Sequence, residues 1–214
     1  PKTVNRINPE TIANSALELL GQEPINYETI YIGGHYKSNF FEVIPIKKTT
    51  IKAENIDVRM DYAHNEDVLS EILKRNIVEV TLSAPISENI IKSKRIKKII
   101  YKAESFDKDF CKLIKKEGIP HILVCTSSEN LSKERVENFD ILISYLDIKE
   151  SIENNKKKIN IDDFNKIKIK SNKKIVCGDK LYESYFDLNE RKNLDHFYID
   201  LEFLNVYIDS DEQE

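Results

Sequence analysis

The stretch Ile56-Asp57-Val58-Arg59-Met60, followed by Glu66 to Arg75 and then by Ile77-Val78-Glu79-Val80-Thr81-Leu82, decides the fold. The two β-branched runs are too short for helices, and Leu69, Ile72 and Leu73 between them share one helical face. The unit then recurs. Ile86 to Ser93 precedes the run Ile96 to Tyr101, Lys108 to Glu117 is closed by Gly118, and His121 to Cys125 is followed by a helical stretch around Leu131 to Asn138 and by Ile141 to Tyr145. Five strands separated by helices predict right-handed βαβ crossovers. The expected class is α/β: a Rossmann-like, mainly parallel sheet of about five strands with helices on both faces, its core strands being those with Val58, Val80, Ile99, Val124 and Leu142.

Small β-rich additions are expected at both ends. Asn8 reads as a cap, Pro9 as the first helical position and Gly21 as the stop of an N-terminal helix, which predicts docking on the body with Ile12, Ala16 and Leu19 inward. Thr29 to Ile32 and Phe40 to Ile46 are short β-rich runs, read as a hairpin. Lys149 to Lys174 is rich in lysine and asparagine, with Ile167 to Ile169 read as an edge strand guarded by alternating lysines. Aromatic residues from Tyr182 to Tyr207 follow. The division expected is therefore an N-terminal helix over 1–21, an α/β domain over 22–150, and a linker with a small aromatic-rich β unit over 151–214.

Composition removes several function classes. Lysine plus arginine number 33 against 37 acids, a formal charge of -4 that gives no general attraction to nucleic acid. Cys111, Cys125 and Cys177 are odd in number and lack zinc-site spacing, so a reduced cytoplasmic setting without a bound metal is expected. No apolar run is long enough to span a bilayer, and no signal peptide is legible. The chain opens on Pro1 and enters a helix almost at once, which suggests a piece of a longer polypeptide.

In an open parallel sheet, ligands collect beyond the carboxyl ends of the strands, where helix N-termini offer free N–H groups. The densest polar cluster there is Arg59-Met60-Asp61-Tyr62-Ala63-His64-Asn65-Glu66. Functionally, Asp61 or His64 would take a proton from an attacking hydroxyl, while Arg59 clamps a phosphate or carboxylate and Asn65 assists. Structurally, Asn65 or His64 caps the next helix and Arg59 pairs with Asp61 or Asp57. Ser83, Thr126 and Ser127 at later strand ends are phosphate contacts or caps, and Gly33-Gly34 is a loose phosphate-type turn or simply a tight turn. No GxSxG elbow, HExxH or dinucleotide fingerprint is present, and no cofactor is expected.

Several blocks resemble a known family. Val4-Asn5-Arg6-Ile7-Asn8-Pro9-Glu10-Thr11-Ile12-Ala13 with Leu17 to Gly21 is similar to the terminal helix of heptosyltransferase-like glycosyltransferases, the family 9 group, which have two Rossmann-like lobes. Ile30-Tyr31-Ile32-Gly33, Glu42-Val43-Ile44-Pro45, Arg59-Met60-Asp61 with Asn65-Glu66, and Lys170-Ser171-Asn172-Lys173 with Gly178-Asp179-Lys180-Leu181-Tyr182 resemble a C-terminal extension of some such proteins. The resemblance implies a glycosyltransferase-associated domain in surface-glycan or lipopolysaccharide assembly, with a nucleotide sugar and a glycan acceptor as expected partners. If enzymatic, it would transfer a hexosyl or heptosyl group. The alternative is a non-catalytic Rossmann-like module that meets a catalytic lobe or forms a homo-oligomer.

Overall fold

The computed structural model describes residues 9–32, 40–137, 142–144, 153, 163–171 and 173–194. Helix α1 (Pro9–Leu19) leads to β1 (Glu28–Ile32) and β2 (Phe40–Ile44). The repeated units follow as β3 (Asn55–Arg59), α2 (Glu66–Leu73), β4 (Val78–Leu82), α3 (Glu88–Ile91), β5 (Ile96–Ala103), α4 (Lys108–Lys116), β6 (His121–Cys125), α5 (Leu131–Glu137) and β7 (Leu142–Ser144). After a 3-10 turn over Phe164–Lys166 come β8 (Ile167–Ser171), β9 (Lys173–Cys177), β10 (Lys180–Tyr182) and α6 (Tyr185–Leu188).

The expected mixed α/β architecture is present, and its sheet is wider than the five parallel strands β3 to β7. The order is β10-β9-β2-β3-β4-β5-β6-β7, with every pairing parallel except β9 with β10. The sheet therefore crosses residue 150, because β9 from the C-terminal segment pairs with β2 from the N-terminal one. β1 and β8 form a separate parallel pair. The hairpin read for the first two β-runs does not form: β1 pairs with β8, and β2 lies parallel to β3. Ile167 to Ile169 does lie in a strand at a sheet edge, since β8 has only β1 beside it among the described residues.

From β2 to β7 each strand is laid beside the one before it, so right-handed crossovers put the connecting helices on one face of the sheet. Val43, Val58, Val80 and Ile99 stand in register on that face, fully buried. They share one core with Leu69, Ile72 and Leu73 of α2, Ile91 of α3 and Ile114 of α4, as the helical spacing required. Asn65 and Asp107 start α2 and α4 by accepting the backbone N–H groups of Val68 and Phe110. Gly118 follows α4 at φ +66, a conformation that costs glycine little. The second face carries α6, where Tyr185 packs with Ile44 and Ile175. Among the described residues no helix is long and apolar enough to cross a membrane.

The orientation of α1 departs from expectation. Ile12, Ala16 and Leu19 face solvent, not the body. The helix is held from its polar side: the Asn14 amide donates to the Ile25 carbonyl at 3.2 Å and accepts the Ile25 N–H at 2.6 Å, and Thr29 bonds Glu10. These hydrogen bonds, with the half-buried Ala13 and Leu17 on the same side, set its rotation in place of the stripe of Ile12, Ala16 and Leu19.

Candidate functional site

Strand alternation writes a polar face opposite the apolar core. Because β2, β3 and β4 are in parallel register, Glu42 stands beside Asp57, which stands beside Glu79. Two residues on, Arg59 pairs with Thr81. Lys102 joins from the end of β5, Lys173 from the start of β9, and Tyr185 from the first turn of α6. The cap on that turn is Ser184, whose hydroxyl accepts the Asp187 N–H at 3.0 Å.

Arg59 is the hub. Its Nε and Nη2 donate to the two carboxylate oxygens of Asp61, each at 2.7 Å, a bidentate fork that fits guanidinium to carboxylate. Its Nη1 donates to Glu42 at 3.0 Å and to the Tyr185 hydroxyl at 2.7 Å. Tyr185 in turn donates to Glu42, which also pairs with Lys173. Lys102 reaches Asp61 at 3.0 Å. The guanidinium lies 4.6 Å from the centre of the Tyr62 ring and 5.1 Å from that of Tyr185, and the two rings stack at 4.9 Å.

Burial and neighbours set the charges apart. Burial pushes the Glu42 carboxyl up, but Lys173 and Arg59 outweigh it and hold it below the ordinary value. Asp61 follows the same pattern: burial raises it, and the Arg59 fork with Lys102 brings it lower than usual. Asp57 goes the other way. Burial and the adjacent Glu42 charge push it up to about 6, with the Thr81 hydroxyl donating to it at 2.9 Å as partial compensation. Lys102 is pushed down by burial and by Arg59. Tyr185 is raised well above its usual range by burial and Glu42, so it stays a protonated donor.

The residues singled out in the sequence divide into three sets. Arg59 and Asp61 come together, in the ion pair that the structural alternative described. Asn65 is the α2 cap, while His64 stands half-exposed 3.7 Å from Glu66. Ser83 and Thr126 are exposed just past β4 and β6, and the Ser127 hydroxyl accepts the Asn130 N–H at 3.3 Å near the start of α5. Gly33 and Gly34 lie outside the described residues. Glu42, Asp57, Thr81, Lys102, Lys173 and Tyr185 were not singled out as site residues, Asp57 entering only as an alternative ion partner of Arg59. The signal for the first three was available: an acid or hydroxyl at every second position inside β-runs marks a polar sheet face. For Tyr185 there was none, since it is 126 residues from Arg59.

Four described lysines of the C-terminal segment are also engaged. Lys166 pairs with Asp163, Lys168 lies over the Tyr27 ring, Lys173 pairs with Glu42 and Lys174 with Glu183. At the opposite, amino ends of β3 and β4, an open depression of about 510 Å³ is lined by Lys52, Glu54, Arg75, Asn76 and Ile77. Its Asn76 amide is tied to the Ile51 and Ile72 carbonyls. Among the described residues no group of three His, Cys, Asp or Glu side chains is disposed to hold a metal ion. No protein-family model matches the chain, and no curated protein and no solved structure matches it.

Proposed function

We propose that this chain is a glycosyltransferase-associated, non-catalytic α/β module that works by contact with other proteins in cytoplasmic steps of surface-glycan or lipopolysaccharide assembly. The association with transferases comes from the resemblance of its sequence blocks to the family 9 extension. The non-catalytic part rests on one observation: Arg59 commits Nε, Nη1 and Nη2 to Asp61, Glu42 and Tyr185, and both Asp61 oxygens already accept. Four of the five guanidinium N–H groups are thereby used inside the protein and three donors hold the Asp61 carboxylate, which leaves little for a phosphate to grip or for a substrate proton to reach. These side chains instead cross-brace β2, β3, β5 and α6.

The test is calorimetric titration of the purified chain with UDP-, GDP- and ADP-linked hexoses and an ADP-linked heptose, each to about 1 mM, the limit of useful weak affinity. The expected result is neither saturable heat nor sugar transfer. Saturable binding weakened by His64→Ala or Ser83→Ala, both exposed positions whose loss leaves the core intact, would favour a nucleotide-sugar site at the carboxyl ends of the strands.

A further inference from the structure

The outward face of α1 is left uncovered by everything described in the molecule. Ile12, Ala16, Leu19 and Leu20 recur at helical spacing and all four are exposed, Ile12 at 53%, Leu19 at 89% and Leu20 at 71%. Leu20 remains in the helical path, its N–H donating to the Ala16 carbonyl at 3.1 Å. Contiguous apolar area of this kind on a protein surface marks a contact site. The polar anchors at Asn14 and Glu10 keep it presented, because they fix the helix rotation from behind.

We propose that α1 is a docking helix whose stripe seats in an apolar groove, rimmed by lysine or arginine, on a protein partner; this rests on the interaction-module reading above. Charge supplies the first argument. The chain has 33 lysines and arginines, yet residues 7–36 contain none, while Glu10, Glu18, Glu23 and Glu28 all fall within them. Glu10 turns inward to Thr29, while Glu18, next to Leu19 on the helix, and Glu23, a few residues past its end, are exposed. A basic rim complements that pattern. A second α1 would bring acid against acid, and α1 carries no lysine or arginine of its own to meet an anionic membrane surface.

Area supplies the second argument. Two helices of 11 residues laid side by side bury less than the roughly 1,200 Å² at which stable interfaces begin. A groove contacts the same helix on the stripe and on both flanks, so it buries more surface per residue.

The experiment places photo-reactive benzoylphenylalanine at Leu20 or, as a control, at the exposed Ile77, in the full chain expressed in its native cells. Adducts are mapped to the residue, and the captured protein is purified and titrated with the unmodified chain. The expected result is an adduct from position 20 and not from 77, mapping to an apolar groove bordered by lysine or arginine. The purified pair should then bind about tenfold more weakly in 500 mM than in 50 mM salt. Leu19→Asp with Leu20→Asp should weaken it more than about a hundredfold with an unchanged melting temperature, and Glu18→Lys with Glu23→Lys about tenfold. An adduct with a second copy of the chain, a groove without cations, or no adduct from position 20 would overturn the proposal. Adducts from 77 alone would do so while leaving the module reading in place. Transfer of sugar by the purified chain would bring down that reading itself.

Discussion

Arg59 illustrates how burial changes the meaning of a residue. On an exposed loop its removal would cost little; here its side chain is 9% exposed and holds two carboxylates that have left bulk water. Arg59→Ala should therefore lower stability by about 3–5 kcal/mol, read as a shift of the urea midpoint. A loss below about 1 kcal/mol would mean that the network is solvated. Asp57 makes the opposite case. Its carboxyl is pushed up from 3.8 to about 6, so between those values the folded chain binds more protons than the unfolded one. Stability contributed by that group is then full below pH 4 and is lost as pH rises towards 6. Asp57→Asn keeps the acceptor for Thr81 and removes the charge beside Glu42, so it should stabilise the protein at pH 7.5 by about 1–3 kcal/mol. Melting curves of both proteins from pH 4 to pH 8 check the sign: the gap should open as pH rises. Glu42 and Asp61, both held low, act in reverse and weaken the fold as acid protonates them.

At the scale of the element, the same residue types serve as caps. Asn65, a candidate ligand contact in the sequence, accepts the Val68 N–H at 3.1 Å and starts α2, whose buried face carries Leu69, Ile72 and Leu73. Asn65→Ala should cost about 1 kcal/mol, and Asn65→Asp should restore most of it, since either oxygen can cap. Unequal effects of the two on stability are the diagnostic; equal loss would point to a role other than capping. The turn between β9 and β10 depends on Gly178 at φ +65, where an added Cβ would lie 2.7 Å from the Lys47 side chain. Gly178→Ala should destabilise by about 1–2 kcal/mol, mostly from the backbone, because the lysine end can move aside. Denaturant titration of the purified variant measures it.

Over the whole molecule, three separated parts of the chain close one sheet. β2 lies between β9 and β3, and Glu42 on β2 needs Lys173 from β9, Arg59 from β3 and Tyr185 from α6. A chain ending at residue 150 would leave the β2 edge open and Glu42 without two of its partners. It should show no cooperative urea transition, whereas a sharp one would establish residues 22–150 as a self-sufficient domain.

By itself the sequence determined the α/β class, the parallel core and the helix faces, because hydrophobic period and turn residues act over a few positions. Val58, Val80 and Ile99 are in core strands and Leu69, Ile72 and Leu73 face them, as their spacing required. It also held the apolar stripe of α1, but not its direction. That was decided by Asn14 and Glu10 meeting Ile25 and Thr29, contacts whose competition with hydrophobic docking no periodicity records. The pairing of β2 with β9, and the joining of Arg59 and Asp61 to Glu42 and Tyr185 in one buried network, belong to tertiary structure alone. The partners that decide an ionisable group's charge are neighbours in space, and for Glu42 and Tyr185 that neighbour is 143 residues away along the chain.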